Sequence, residues 1–150
     1  MRDRKTFKRL CIVTNCLLLV WFFFDMTGLS IGSTVLVESA WDSIDGIWFL
    51  IFIGFFAFFM FKEKYGKYPL AGFHLLWFII QFTSHWYLTI FGASDEKIAG
   101  YNRFFADTYR IIPASDSRIV PDFYHIVLHI FILLALVFVS LYCVKRRSAY

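Results

Sequence analysis

The sequence predicts an all-α membrane protein: four transmembrane helices in an up-down bundle, plus an amphipathic interfacial helix in the second outer loop. Three observations carry this. Hydrophobic residues make up 59% of the 150 residues and charged ones 17%, more apolar material than a water-soluble domain of this size can hide. Four apolar stretches approach the roughly 20 residues that a crossing helix needs. Lys and Arg gather in alternate connections, which gives the chain a direction across the bilayer. The whole of 1–150 reads as one integral membrane domain.

The first span, 7–28, follows Arg2, Arg4, Lys5, Lys8 and Arg9. A cleavable leader would begin in the same way, but no small-x-small pattern follows Val20, where the chain reads Trp21-Phe22-Phe23-Phe24-Asp25, so this segment is expected to remain. The second span, 45–61, is the shortest; Trp41, Trp48, Tyr65 and Tyr68 around it suit interfacial aromatic belts and extend its reach. The third covers 69–92 and the fourth 121–144. Lys62, Lys64 and Lys67 separate the second from the third, and Lys145, Arg146 and Arg147 follow the fourth. In an even-numbered topology these segments share a side with the N-terminal basic group. The positive-inside tendency makes that side the cytoplasm and puts both termini there, with the plasma membrane as the expected location.

On the other side the 29–44 connection holds no basic residue, and in 93–120 Lys97, Arg103, Arg110 and Arg118 are mixed with acids. The net charge of +4 therefore divides into a basic inner rim and an acidic outer one. A basic rim is usual beside anionic headgroups and does not call for nucleic acid. The 93–120 connection is long enough to expect structure. Ser94 can cap a helix whose first turn carries Asp95 and Glu96, and Ile98, Tyr101, Phe105, Tyr109 and Ile112 recur at helical spacing up to Pro113, predicting an interfacial helix over 95–112. Cys11, Cys16 and Cys143 lie in apolar runs and read as packing residues rather than disulfide or metal partners.

Ionisable groups in a bilayer cost about 2–4 kcal/mol each and mark a site by default. His85 lies about two turns below the outer interface on the third span, and His125 and His129 lie about one and two turns deep on the fourth. Asp25, Asp42, Asp45 and Asp122 fall at that level or just above it. At about 100° per residue, Asp122, His125 and His129 share one face of the fourth helix. His74, Gln81, His85 and Thr89 form a stripe on the third, and Thr14, Trp21 and Asp25 one on the first. A bundle turns such stripes inward, where polar groups find partners other than lipid.

Imidazoles and carboxylates at one depth suit a divalent metal such as zinc or iron. The expected ligands are His85, His125 and His129, with Asp25 and Asp122 as the carboxylates that complete the site or move protons. The corresponding chemistry is hydrolysis or transfer at a lipid or headgroup bond. The structural alternative is hydrogen bonding across the bundle that fixes helix register. That reading is favoured for His74, near the inner interface with no acid close by.

Two other readings use the same residues differently. His85 facing His125 or His129 could ligate a single b-type haem, although neighbouring aspartates suit an apolar macrocycle poorly. The chain could instead be a noncatalytic subunit, its Phe-rich faces at Phe22-Phe23-Phe24 and 55–59 packing on lipid, on a second copy or on another membrane protein. The His-x-x-x-His of the last span, with its embedded acid, resembles the alkaline ceramidase and adipoQ-receptor superfamily, in which such residues hold zinc. The overlap is His125, His129 and Asp122, and that superfamily has seven spans where this chain reads as four, so the overlap does not make the chain a member.

Overall fold

The computed structural model describes residues 2–145; Arg146 and Arg147, two basic residues of the orientation argument, lie outside the described residues. Helix predominates, and three helices are long and apolar enough to cross a membrane, Arg4–Thr27, Ile44–Phe61 and Phe123–Val144, which marks a membrane-associated chain. The elements run α1 (Arg2–Thr27), β1 (Leu29–Ile31), β2 (Thr34–Val37), α2 (Ile44–Phe61) and α3 (Glu63–Gln81). A π-helical turn, Phe82–Trp86, continues α3 into α4 (Tyr87–Phe91), and α5 (Asp95–Phe104) and α6 (Phe123–Val144) follow. In space α1 packs against α2 and α6, and α3 against α2 and α6.

The Phe-rich segments split by helical period rather than forming continuous lipid-facing surfaces. Phe22, Phe56 and Phe59 are buried, while Phe23 and Phe58 are half-exposed. Inside, Phe22 meets Trp77 at 4.7 Å between ring centres and Phe52 stacks on Phe73 at 5.9 Å. Such pairs stabilise the interior beyond the area they bury.

Three local features differ from the sequence expectation. The 29–44 connection contains an antiparallel hairpin, with Ile31 opposite Thr34 across the two-residue loop Gly32-Ser33. Gly32 has φ 61°, the positive value that the first central residue of a II′ turn requires. Its Val37 is buried against the core.

Secondly, α3 begins at Glu63, not at Pro69, leaving only Lys62 between α2 and α3. Pro69 is accommodated inside the helix near its start. The tight reversal depends on Gly66, where an added Cβ would lie 2.5 Å from the Phe59 Cα.

Thirdly, α5 starts at the predicted Ser94 cap but stops at Phe104 instead of running to 112. Tyr109 N–H donates to the Val35 carbonyl at 2.8 Å, so the following backbone joins the edge of the hairpin. Arg110 donates to the carbonyls of Phe105 and Val120 at 3.3 and 2.8 Å. These bonds replace the helical ones that the periodicity promised.

At the end where α1 begins and α6 finishes, one carboxylate organises the charges. Glu63 accepts from Arg4 at 2.9 Å and from Lys8 at 2.5 Å, and the Tyr142 hydroxyl also donates to it. Arg4 donates to the same hydroxyl at 2.7 Å, and Lys67 donates to the Cys143 carbonyl at 3.2 Å. Helices α1, α3 and α6 are thereby tied together.

Candidate functional site

Pro121 and Asp122 bring the chain into α6, and the Asp122 carboxylate caps that helix by accepting from the His125 backbone N–H at 2.9 Å. The same oxygen lies 2.7 Å from His125 Nδ1, so one buried carboxylate starts the helix and orients its first imidazole. One turn on, His129 Nδ1 donates to the His125 carbonyl at 2.5 Å. This fixes the tautomer, and Nε2 is left buried with no hydrogen-bond partner.

The third imidazole arrives through the π turn. Thr83 donates its hydroxyl proton to the Ile79 and Ile80 carbonyls at 2.9 and 3.0 Å, competing with the regular i to i−4 ladder. The widened turn adds a residue to the helical repeat, a distortion frequent at functional sites. It breaks the stripe that placed Gln81 and His85 in line. Gln81 lines a cavity facing α2, whereas the His85 ring lies 4.3 Å from that of His125 and 5.5 Å from that of His129.

Helix α5 covers this group. The Tyr101 hydroxyl is 3.3 Å from His85 Nδ1, and burial pushes its pKa well above the ordinary phenol range, so it stays O–H. Phe105 meets His125 edge-on at 5.1 Å, and Trp86 meets His129 at 5.8 Å. Helical spacing alone puts Tyr101 on the apolar face of α5; the signal for its role is the polar tip that a tyrosine carries into such a face.

The structure thus brings together His85, His125, His129 and Asp122. In all three imidazoles Nδ1 faces a polar group: a phenol, a carboxylate or a backbone carbonyl. Outer partners of this kind orient histidines that bind through Nε2. Among the described residues, however, no three His, Cys, Asp or Glu side chains stand in the arrangement of a metal-ligand set. Asp25 shares with Asp122 and His125 the wall of a cavity of about 350 Å³, and among the described residues it pairs with no Lys, Arg or His. His74 lies elsewhere, with Nε2 2.7 Å from Asn15 Oδ1, while Asn15 donates to the Cys11 carbonyl at 2.8 Å.

The cavity opens between the start of α2, the α5–α6 segment and the upper part of α1. Its carboxylates are Asp25, Glu38, Asp42, Asp45 and Asp122, and no Lys or Arg lines it. Asp25 and Asp122 are buried, whereas Glu38 and Asp42 are exposed at the mouth. Sequence reading had the aspartates but missed Glu38, which the hairpin carries round to the cavity. Trp21 fixes the neighbouring wall: its indole N–H donates to the Tyr124 carbonyl at 3.2 Å and its ring stacks on that of Tyr124. No family model, curated protein or solved structure matches this chain at a significant level.

Proposed function

We propose that the chain is a four-span membrane protein. Its fourth crossing is 69–92, the helix continued through the π turn. Both termini lie in the cytoplasm, and α5 lies on the outer face of the plasma membrane. Its site beneath the outer surface takes a divalent metal, zinc or iron, and acts on a lipid or headgroup by hydrolysis or transfer. The observation that carries this reading is the convergence of three imidazoles whose Nδ1 atoms face polar groups, with the His129 Nε2 buried and unpaired.

The Nε2 atoms of His85, His125 and His129 are the proposed ligands, reached by rotation of rings that now pack tilted (His85 on His125) and edge-on (His85 on His129). Bound there, such a metal supplies a water of lowered pKa. Asp122 orients His125, and Asp25, across the cavity, is placed to accept and return a proton.

Metal analysis of the detergent-purified protein tests the site. Wild type should hold stoichiometric zinc or iron, and His125→Ala and His129→Ala should lose it; equal trace metal in all three overturns the metal reading. Orientation is read separately in a background lacking the native cysteines. A cysteine at Asp116 should react with a membrane-impermeant thiol reagent in intact cells, and one at the exposed Lys64 should not. The reverse labelling inverts the topology.

A further inference from the structure

Two cavities adjoin at the α2–α3 seam. The larger is the carboxylate-lined one of about 350 Å³. The smaller, about 150 Å³, lies between Ile44 and Trp48 of α2 and Trp77 and Ile80 of α3, and shares Asp45 and Gln81 with the first. One is an acidic chamber, the other an apolar cleft on the flank of the helices, with Ile44 and Ile80 exposed at its edge.

Several polar groups here lack the partners that buried groups normally have. Asp25 is 6% exposed and has no cationic neighbour within ion-pair distance among the described residues. The Tyr124 hydroxyl, on a residue 4% exposed, approaches the Asp25 carboxylate without meeting the geometry of a hydrogen bond. In the cleft, Trp48 Nε1 and Gln81 Oε1 are buried and unpaired. By contrast, Asp122 is already taken by His125, and Asp45 accepts from the Ser43 hydroxyl at 3.1 Å.

An acidic chamber lined by no Lys or Arg is complementary to a cation, and its size and walls say which kind. It is too large for a bare ion, and Trp41, Phe104, Phe105 and Tyr124 line it with aromatic rings, which attract ammonium groups through their faces. The adjoining cleft is apolar, narrow and set on the side of the helices, where an alkyl chain passes without crossing water.

We propose that the paired cavities bind a single-chain or lipid amphiphile with a cationic ammonium headgroup: the headgroup lies in the chamber against Asp25 and the aromatic rings, and the chain leaves between α2 and α3 past Trp48 and Trp77. This names the substrate class of the proposed site. It rests on the membrane-spanning reading, which puts the cleft in lipid, and is independent of the metal.

The test titrates the full chain in an uncharged maltoside detergent with hexadecyltrimethylammonium, tetramethylammonium and hexadecyl glucoside, and follows tryptophan fluorescence, for which Trp41, Trp48 and Trp77 are reporters inside the site. The long-chain ammonium should bind saturably at one per chain. Both the short ammonium and the neutral glucoside should bind about tenfold more weakly or worse, since each lacks one of the two complementary parts. Asp25→Asn should weaken the long-chain ammonium about tenfold, the scale of losing one desolvated charge pair, and leave the glucoside unchanged. Trp48→Ala should weaken the long-chain ion and spare the short one. Each variant is first shown to elute as wild type in size-exclusion chromatography, and Asp25→Ser replaces Asp25→Asn if that variant does not. Equal binding of ammonium and glucoside, or an unchanged affinity in the aspartate variant, overturns the proposal, as does tetramethylammonium binding as tightly as the long-chain ion. Metal analysis of the same samples separates the two readings: metal retained without cation selectivity defeats only this proposal, and cation selectivity without metal defeats only the metal.

Discussion

The two ends of this molecule treat charge in opposite ways. At the end where α1 begins and α6 finishes, Glu63 is met by Arg4, Lys8 and Tyr142 from two other helices and the His74 Nε2 by Asn15, with Arg4 Nε and His74 Nδ1 the atoms left over. At the opposite end, among the described residues, Asp25 forms no ion pair with Lys, Arg or His, and the His129 Nε2 and Tyr124 hydroxyl have no hydrogen bond. Polar groups sunk in an apolar medium either satisfy one another, and then hold helices in register, or are kept unsatisfied at a cost in stability. The first pattern is that of a fastener and the second that of a site, where stability is given up for binding.

Substitution can break this contrast, and the largest effect is expected at His74. His74→Ala removes a fully buried ring and strands Asn15, and should cost about 3 kcal/mol, measured as a lower unfolding midpoint in detergent. An unchanged midpoint would mean that the His74–Asn15 pair does not fasten α1 to α3. Next comes Glu63→Gln, expected to cost about 2 kcal/mol because Arg4 and Lys8 lose their shared anion.

That clamp also carries a pH signature. Burial alone would raise the Glu63 carboxyl, but hydrogen bonds and charge from Lys8 and Arg4 outweigh it and hold the group below its ordinary value of 4.5. A depressed folded pKa means that the stabilisation is complete above the unfolded value and fades as pH falls through the folded one. Wild type should therefore lose stability below pH 4.5 more steeply than Glu63→Gln; parallel acid curves would remove the clamp's electrostatic role. The smallest effect is expected at the other end. Asp25→Asn keeps the shape and removes a buried carboxyl that has no cationic partner among the described residues, so its stability should stay within about 1 kcal/mol of wild type or exceed it. A loss as large as that of Glu63→Gln would erase the difference between the ends and make Asp25 a fastener too.

The parts visible in the sequence were those that depend on local order. Apolar runs marked the helices, Ser94 and its acidic first turn marked the start of α5, and residue spacing put Asp122 and His125 together on one helix, where capping geometry then joined them. The Glu63 clamp was not visible, because a single acid among lysines gives no sign that Arg4 and Tyr142 will reach it from positions 59 residues earlier and 79 later. Nor was the hairpin, whose short strands are too brief to show a period of two, or the π turn, which a 3.6-residue repeat cannot represent.

By itself, the sequence determined that this chain is rich in apolar helices, roughly where they run, and that His85, His125, His129 and Asp122 fall at one level, because hydropathy and helical rise are properties of neighbouring residues. Only the tertiary structure decided which of those groups meet. The π turn carried His85 to His125, the hairpin carried Glu38 to the chamber, and Asp25 came to share that chamber's wall with Asp122 and His125. Those outcomes depend on how helices distant in sequence rotate and pack against one another, and a one-dimensional pattern of residues does not contain that rotation.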